Sequence, residues 1–276
     1  MSKTKFSTGR LVMYILLILG ALVMIIPFIW SIVTSFQTLD ESLHFPPKMW
    51  PSHWDLANYT NVWKALPFPK FFLNTFLMIL WRVIFATFLS AAAGYAFARI
   101  KFPGVNALFM LVLIPMMIPG QVYTLPQYLL MSKLHLVNTV TALVLPGVAS
   151  TFGTFLMRQF FMGVPESLEE AAILDGASTW QIFTKIMLPL AKAPMVSVAI
   201  FTGLFAWKDL MWPLIVNQDP AKMPLASGLA LLQGQYTTNY PQLMAGSVIA
   251  TIPMIILYVI FQRQFIAGIA QTGSKE

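Results

Sequence analysis

The chain has 276 residues, 58% of them hydrophobic and only 10% charged, against about 25% charged in ordinary soluble domains. That composition excludes a water-soluble globular fold, and the absence of cysteine excludes a disulfide framework, thiol catalysis, Cys-ligated zinc and iron–sulfur clusters. The balance of 17 Lys and Arg against 10 Asp and Glu gives +7, which here is distributed by membrane topology and points to no nucleic-acid partner.

A helix needs roughly 20 mostly apolar residues to cross a hydrocarbon layer of about 30 Å. Six stretches qualify, at 11–35, 71–98, 107–130, 139–161, 195–216 and 243–261. The expected fold is therefore an all-α integral membrane protein of six transmembrane helices. Residues 1–10 form an N-terminal segment, 11–265 the transmembrane domain and 266–276 a C-terminal tail. The first span follows Lys3, Lys5 and Arg10 as a signal peptide would. Its apolar run exceeds the usual length of about 7 to 15 residues and lacks a small-residue cleavage site, so it is expected to stay as an uncleaved helix.

An even number of spans places both termini on one side. Lys3, Lys5, Arg10, Arg99, Lys101, Arg158, Lys185, Lys192, Arg263 and Lys275 share that side, while Lys48, Lys64, Lys70, Lys133 and Lys222 lie on the other. The excess of basic residues puts both termini in the cytoplasm of a bacterial or archaeal cell, because short basic loops are retained inside. His44, His53 and His135 then lie outside, without metal-ligand spacing. No metal or cofactor is expected in this chain.

The first outer loop, 37–70, carries Trp50, Trp54 and Trp63 among Pro46, Pro47 and Pro51. It suits either a partner-docking surface or an interfacial helix resting on membrane lipid. In the second span Ser90, Gly94 and Ala98 recur every four residues and predict close helix packing. Pro115, Pro119, Gly120 and Pro126 interrupt the third span, which either borders a transport path or simply kinks.

The cytoplasmic stretch 163–192 is too polar to span and too long for a connector, and its punctuation predicts a helical hairpin. Ser167 with Glu170 fits a capping box behind Pro165, and Gly176 closes that helix. Ser178 with Gln181 opens a second helix, carrying Trp180, Phe183 and Met187 on one face until Pro189 ends it. Ala171 and Ala172 form a small face suited to close approach by another surface.

On the fifth span Phe201, Phe205, Lys208 and Trp212 fall at helical spacing on one face, with Thr202 and Asp209 at its margin. Such a stripe suits a sugar, whose C–H face packs on aromatic rings while Lys208, Asp209 and Thr202 bond its hydroxyls. Packing of the aromatics with Lys208 snorkelling to the outer interface is the competing reading, and it applies to Arg82 as well. An intramembrane charge costs about 2.5 to 3.5 kcal/mol on insertion scales, so Arg82, Lys208 and Asp209 should avoid lipid. No Gly-Lys dipeptide occurs, so there is no phosphate-cradling G-x-x-x-x-G-K-[ST] loop and the chain is not its own ATPase. It is not expected to be an enzyme.

The run Glu170-Ala-Ala-Ile-Leu-Asp-Gly176, followed after nine residues by Ile186-Met-Leu-Pro189, resembles the EAA signature of ABC importer permeases. Tyr95-Ala-Phe-Ala-Arg99, Ile118-Pro119, Asn138-Thr139, Trp212-Pro213-Leu214 and Ala245-Gly-Ser-Val-Ile249 are similar to the carbohydrate-uptake, maltose-type branch, from the first span nearly to the C-terminus. Lys208, where that branch would carry Asn, and Arg82 depart from its pattern.

The resemblance implies a type I importer permease that pairs with a second, homologous permease, two ATP-binding subunits and a solute-binding protein to move a sugar or oligosaccharide. ATP and Mg would be bound by the partner subunits. Glu170, Ala171, Ala172, Asp175, Gly176, Ile186, Leu188 and Pro189 would couple to the ATP-binding subunit. Gly228, Gln233, Gly234 and Tyr236 would probe the docked binding protein, and the tail 273–276 would reach the ATPase interface. A stand-alone secondary transporter or channel is the alternative from another class, with Asp209 as its sole intramembrane acid. A purely structural membrane scaffold is a third.

Overall fold

The computed structural model describes residues 8–234 and 237–273. The chain divides into two compact units, one of Met1–Leu66 with Leu229–Met254 and the other of Pro67–Gly228 with Ile255–Glu276.

In the first unit, α1 (Thr8–Ser35) is apolar on every face and exposed along nearly its whole length, as a helix bathed in lipid or covered by another subunit must be. Its last turn is buried, and there the chain leaves the helix into a knotted loop. The Ser35 and Tyr59 hydroxyls lie 2.6 Å apart, Asn58 Nδ2 donates to the Ser35 and Gln37 carbonyls, and Gln37 Nε2 donates to Lys48 O. Two short helices, α2 (Leu39–Leu43) and α3 (Ala57–Ala65), punctuate it. Thr38 and Glu41 make a reciprocal capping box at the start of α2. Phe36 packs on both Trp54 and Tyr59, so at least part of the aromatic content of this loop holds the loop itself.

The core of the second unit is α4 (Phe68–Arg99), packed along α8 (Thr151–Met162) and α12 (Lys192–Trp207). The predicted small-residue stripe is what lets them meet. A Cβ on Gly94 would sit 2.5 Å from Met157 Cβ, and one on Gly153 would run into the Ser90 side chain.

Three predicted spans are not continuous helices. The third is α5 (Val105–Leu113) and α6 (Thr124–Lys133), joined through short 3₁₀ turns at Ile114–Met116 and Gly120–Tyr123 and bent by 97°. The fourth is α7 (Val140–Val144), a 3₁₀ turn at Leu145–Gly147 and then α8, bent by 42°. The fifth was expected to run unbroken through 195–216. Instead α12 ends at Trp207, Lys208 and Asp209 form the break, and α13 (Met211–Val216) follows.

Beyond it, the segment 217–240 is partly helical, with a 3₁₀ turn at Pro220–Lys222 and α14 (Leu225–Ala230). The final helix, α15 (Tyr240–Gly273), continues past residue 265. Among the described residues three long helices and three bent pairs are apolar enough to account for up to six crossings, which makes the chain a multi-pass membrane protein.

The first-unit loop contains a titratable fastening. Glu41 accepts from the Ser52 hydroxyl and from the Ser52 and Thr38 backbone N–H groups, which lower its pKa from 4.5 to about 2. A carboxylate depressed on folding contributes stability above its unfolded pKa and loses it as pH falls through the folded one. Loop 38–52 should therefore loosen between about pH 4.5 and 2. Amide exchange at Thr38 and Ser52, corrected for its intrinsic pH dependence, should accelerate in that window, and Glu41→Gln should remove the transition.

Candidate functional site

The hairpin at 163–192 is built as two arms around Gly176. The first arm is α9 (Ser167–Leu174), and its start differs from expectation: Glu166 occupies the cap position, Ser167 is already helical, and no side chain caps the end. Glu166 O instead accepts from the Glu169 and Glu170 N–H groups. Gly176 adopts φ +79°, the left-handed conformation that releases the chain from the helix. The second capping box is present as predicted, with Ser178 Oγ accepting from Gln181 N at 3.3 Å and Gln181 Oε1 accepting from Ser178 N at 2.8 Å.

The second arm runs through α10 (Thr179–Ile182), a π-helical turn at Phe183–Met187 and α11 (Leu188–Leu190). Pro189 does not end the helix. It lies in the first turn of α11, beyond the wide π turn, and the chain bends by 76° only at Ala191, where α12 begins.

The two arms carry opposite faces. Ala172, Ile182, Phe183 and Met187 are buried with Tyr95, Met157 and Phe161 in one apolar cluster, to which Ile186 and Leu188 pack as half-buried neighbours. Ala172 therefore belongs to the chain's own core and is not available to a docking surface, because α9 turns it inward while Ala171 faces out. The outward face consists of Glu170, Ala171, Asp175 and Gly176 with Ile173, Leu174 and Trp180, which are 61%, 88% and 62% exposed. Sequence reasoning missed Ile173 and Leu174, although two large apolar residues before a terminal glycine in a polar loop are a readable signal of an interface.

The hairpin is also held by charge. Arg99, the last residue of α4, donates through Nη2 to Val164 O, and its Nε lies 3.4 Å from Glu169 Oε1. Burial pushes the Glu169 carboxyl above the usual range, Arg99 pulls it back, and Glu166 adds a smaller upward push.

The second site lies where the fourth and fifth spans break. Pro146 has no N–H to give to the Ala142 carbonyl four residues back, and the Trp212 indole supplies it at 2.9 Å. The next carbonyl, Leu143 O, accepts from Arg82 Nε at 2.8 Å and Nη2 at 2.5 Å, while Arg82 Nη1 pairs with Asp209 Oδ2 at 2.9 Å. Asn138 N donates to Val216 O, and Asn217 Nδ2 donates to Thr139 O and Lys222 O. Gly147 leaves the room that Arg82 occupies, since a Cβ there would lie 2.6 Å from Arg82 Cδ.

The predicted fifth-span stripe is accordingly divided. Trp212 is buried and bonded, so it offers no sugar-stacking face, and Asp209 is held by Arg82. Lys208 is exposed, with Nζ 4.7 Å over the ring of Phe205, itself 60% exposed, and Thr202 is half-buried nearby in sequence. Of the residues assigned to the binding-protein probe, Gly228 is buried against the Phe71 ring and cannot serve. Gln233 and Gly234 are exposed, and Tyr236 lies outside the described residues.

Residues 86–270 match the family model described as "Binding-protein-dependent transport system inner membrane component". The chain belongs to that family. A permease of the same kind, the arabinooligosaccharides transport system permease protein AraQ of Halalkalibacterium halodurans, is 40% identical over 82% of this chain and 81% of its own. The diacetylchitobiose uptake system permease protein NgcG of Streptomyces coelicolor is 32% identical over 93% of this chain and 86% of its own. In fold, the permease is similar to a chain of a bacterial ABC transporter involved in the import of the acidic polysaccharide alginate, with a TM-score of 0.79, 21% identity and coverage of 95% and 98%.

Removing Asp209 should cost more than the pair is worth, because it strands a buried guanidinium. Asp209→Ala is expected to destabilise the permease by about 3 to 5 kcal/mol. Asp209→Asn, which keeps an acceptor for Arg82 Nη1, should cost less. Thermal unfolding of the purified protein in detergent measures both.

Proposed function

We propose that this permease forms half of the translocation pathway of an ATP-driven importer for a neutral oligosaccharide. A second, homologous permease supplies the other half, two ATP-binding subunits dock on the cytoplasmic side, and a solute-binding protein delivers the sugar outside. Both termini lie in the cytoplasm of a bacterial or archaeal cell, in keeping with the bias of basic residues across the six spans. ATP and Mg are bound and hydrolysed by the partner subunits.

The observation that carries the reading is the divided hairpin. Its inner face is committed to the permease core, while its outer face presents Ile173, Leu174 and Trp180 to the side where a partner must cover them. The named substrates of the two relatives favour a neutral oligosaccharide. The Arg82 guanidinium is committed to Asp209 and Leu143 O, which leaves Lys208 as the exposed cation of the fifth span. Phe205 and Lys208 are the residues of the fifth span still able to touch a sugar. The secondary-transporter alternative loses support from the same pair, since Asp209 already has a cation of its own.

Affinity purification of the tagged chain in mild detergent should bring down a second permease and two copies of an ATP-binding subunit. ATP hydrolysis by that complex in vesicles should rise with sugar-loaded binding protein for an arabinooligosaccharide or diacetylchitobiose and not for an alginate oligosaccharide. Recovery of this chain alone, still active in uptake, would favour the secondary transporter.

Gly176→Asp is expected to abolish ATP-driven uptake while leaving the chain in the membrane. Among the described residues beyond its chain neighbours nothing lies within 4 Å of a Cβ at Gly176, but its φ strains any L side chain, so Gly176→Asn, with the same strain and no charge, is the control. A loss of uptake confined to the Asp variant would report on the partner surface, and normal uptake by it would remove the coupling role.

A further inference from the structure

We infer that Arg99 is the positioning residue that carries hairpin movement into α4, through a buried contact with Glu169 that is one small shift short of a hydrogen bond. This rests on the reading of the hairpin as the element that docks on the ATP-binding subunit.

Arg99 ends the longest helix of the second unit, and three groups of the hairpin region converge on it. Nη2 donates to Val164 O, Nη1 lies 3.7 Å from Glu166 Oε1, and Nε lies 3.4 Å from Glu169 Oε1. The two carboxylates are unequal partners. The Glu166 side chain is 75% exposed, where water and salt screen the attraction, whereas that of Glu169 is 18% exposed. The pair Arg99–Glu169 is close enough to be an ion pair, yet Arg99 Nε and Glu169 Oε1 are both buried without a hydrogen-bond partner.

A charge-assisted hydrogen bond forms at about 2.7 to 2.9 Å. The contact therefore has a second, tighter arrangement within half an ångström or so of the present one, and each buried group gains its missing partner by reaching it. Elsewhere Phe183 packs on Tyr95 of α4 within the apolar cluster that also holds Ala172 and Ile182, and apolar surfaces slide. The ion pair does not, since parting it strands a buried guanidinium. Pressure on the outer face of α9 closes the contact and draws the end of α4 with it. Two discrete arrangements of one contact, biased by a partner, are what a relay requires.

The test uses the assembled complex in vesicles, with whichever of the arabinooligosaccharide or diacetylchitobiose stimulates the wild type. Glu169→Gln keeps the shape and removes the charge. It should leave the partners bound and lower the stimulation of ATP hydrolysis by loaded binding protein at least about fivefold, the low end of a one-contact coupling. Arg99→Lys, which keeps charge and loses the fork, should retain part of the stimulation, and Glu166→Gln should retain all of it.

Wild-type stimulation in Glu169→Gln would overturn the assignment, as would an equal loss in Glu166→Gln or dissociation of the Glu169→Gln complex, which would make the contact one of assembly. A wild-type preparation lacking ATP-binding subunits would instead overturn the docking reading, and the relay with it.

Discussion

Inside a bilayer every backbone donor and acceptor must be satisfied by the protein, and the breaks in this chain's spans make that demand acute. At the fourth span Pro146 withdraws the N–H that Ala142 O would have used, and the following 3₁₀ turn disturbs the pattern further. Two side chains from distant parts of the sequence answer it: the Trp212 indole takes Ala142 O and the Arg82 guanidinium takes Leu143 O. The fifth span can then end at Trp207 and restart at Met211, because Asp209 in its gap is the counter-charge that Arg82 needs. The proline accounts for the tryptophan, and the break that follows it accounts for the arginine and its aspartate.

The same constraint decides what those residues can do. A guanidinium has five N–H donors and no acceptor. With three of its contacts spent on Leu143 O and Asp209, Arg82 acts as a fastener between α4, α7 and the α12–α13 gap rather than as a free cation facing substrate. Gly147 belongs to this arrangement as the space the side chain fills. Lys208, one residue from Asp209, is exposed and sits over the Phe205 ring, without a carboxylate partner among the described residues. Neighbouring charges in one sequence motif thus differ in environment, Asp209 holding the break and Lys208 left exposed.

Much of this was legible in the sequence and the rest was not, for identifiable reasons. Six apolar stretches of the right length gave the crossings, and the glycine and serine stripe of the second span gave its packing face. Gly176 and the Ser178–Gln181 box were readable because both rest on local chemistry, a left-handed turn and a reciprocal cap. The Ser167 box failed because a sequence pattern cannot say where the helix begins: Glu166 already has right-handed helical dihedrals and Ser167 lies inside α9. The stripe from Phe201 to Trp212 failed for a longer-range reason: helical periodicity was extrapolated across 208–210, while the signal that breaks it is a proline some 60 residues earlier, whose orphaned carbonyl recruits Trp212.

The hairpin shows how one short motif serves two surfaces at once. Had Ala171 and Ala172 both faced a partner, α9 would have had little to hold it to its own subunit beyond the turn at Gly176. With Ala172 inward among Tyr95, Phe161 and Phe183, the arm is seated on α4 and α8 before any partner arrives. Small size at 172 matters there because the arm must approach a core already filled by aromatic rings. The outer residues Leu174 and Trp180 stay exposed on arms already joined to the membrane helices. The polar fastening at Arg99 joins the end of α4 to Glu169 of α9, so charge as well as apolar packing ties the arm to the longest helix lying wholly within the unit.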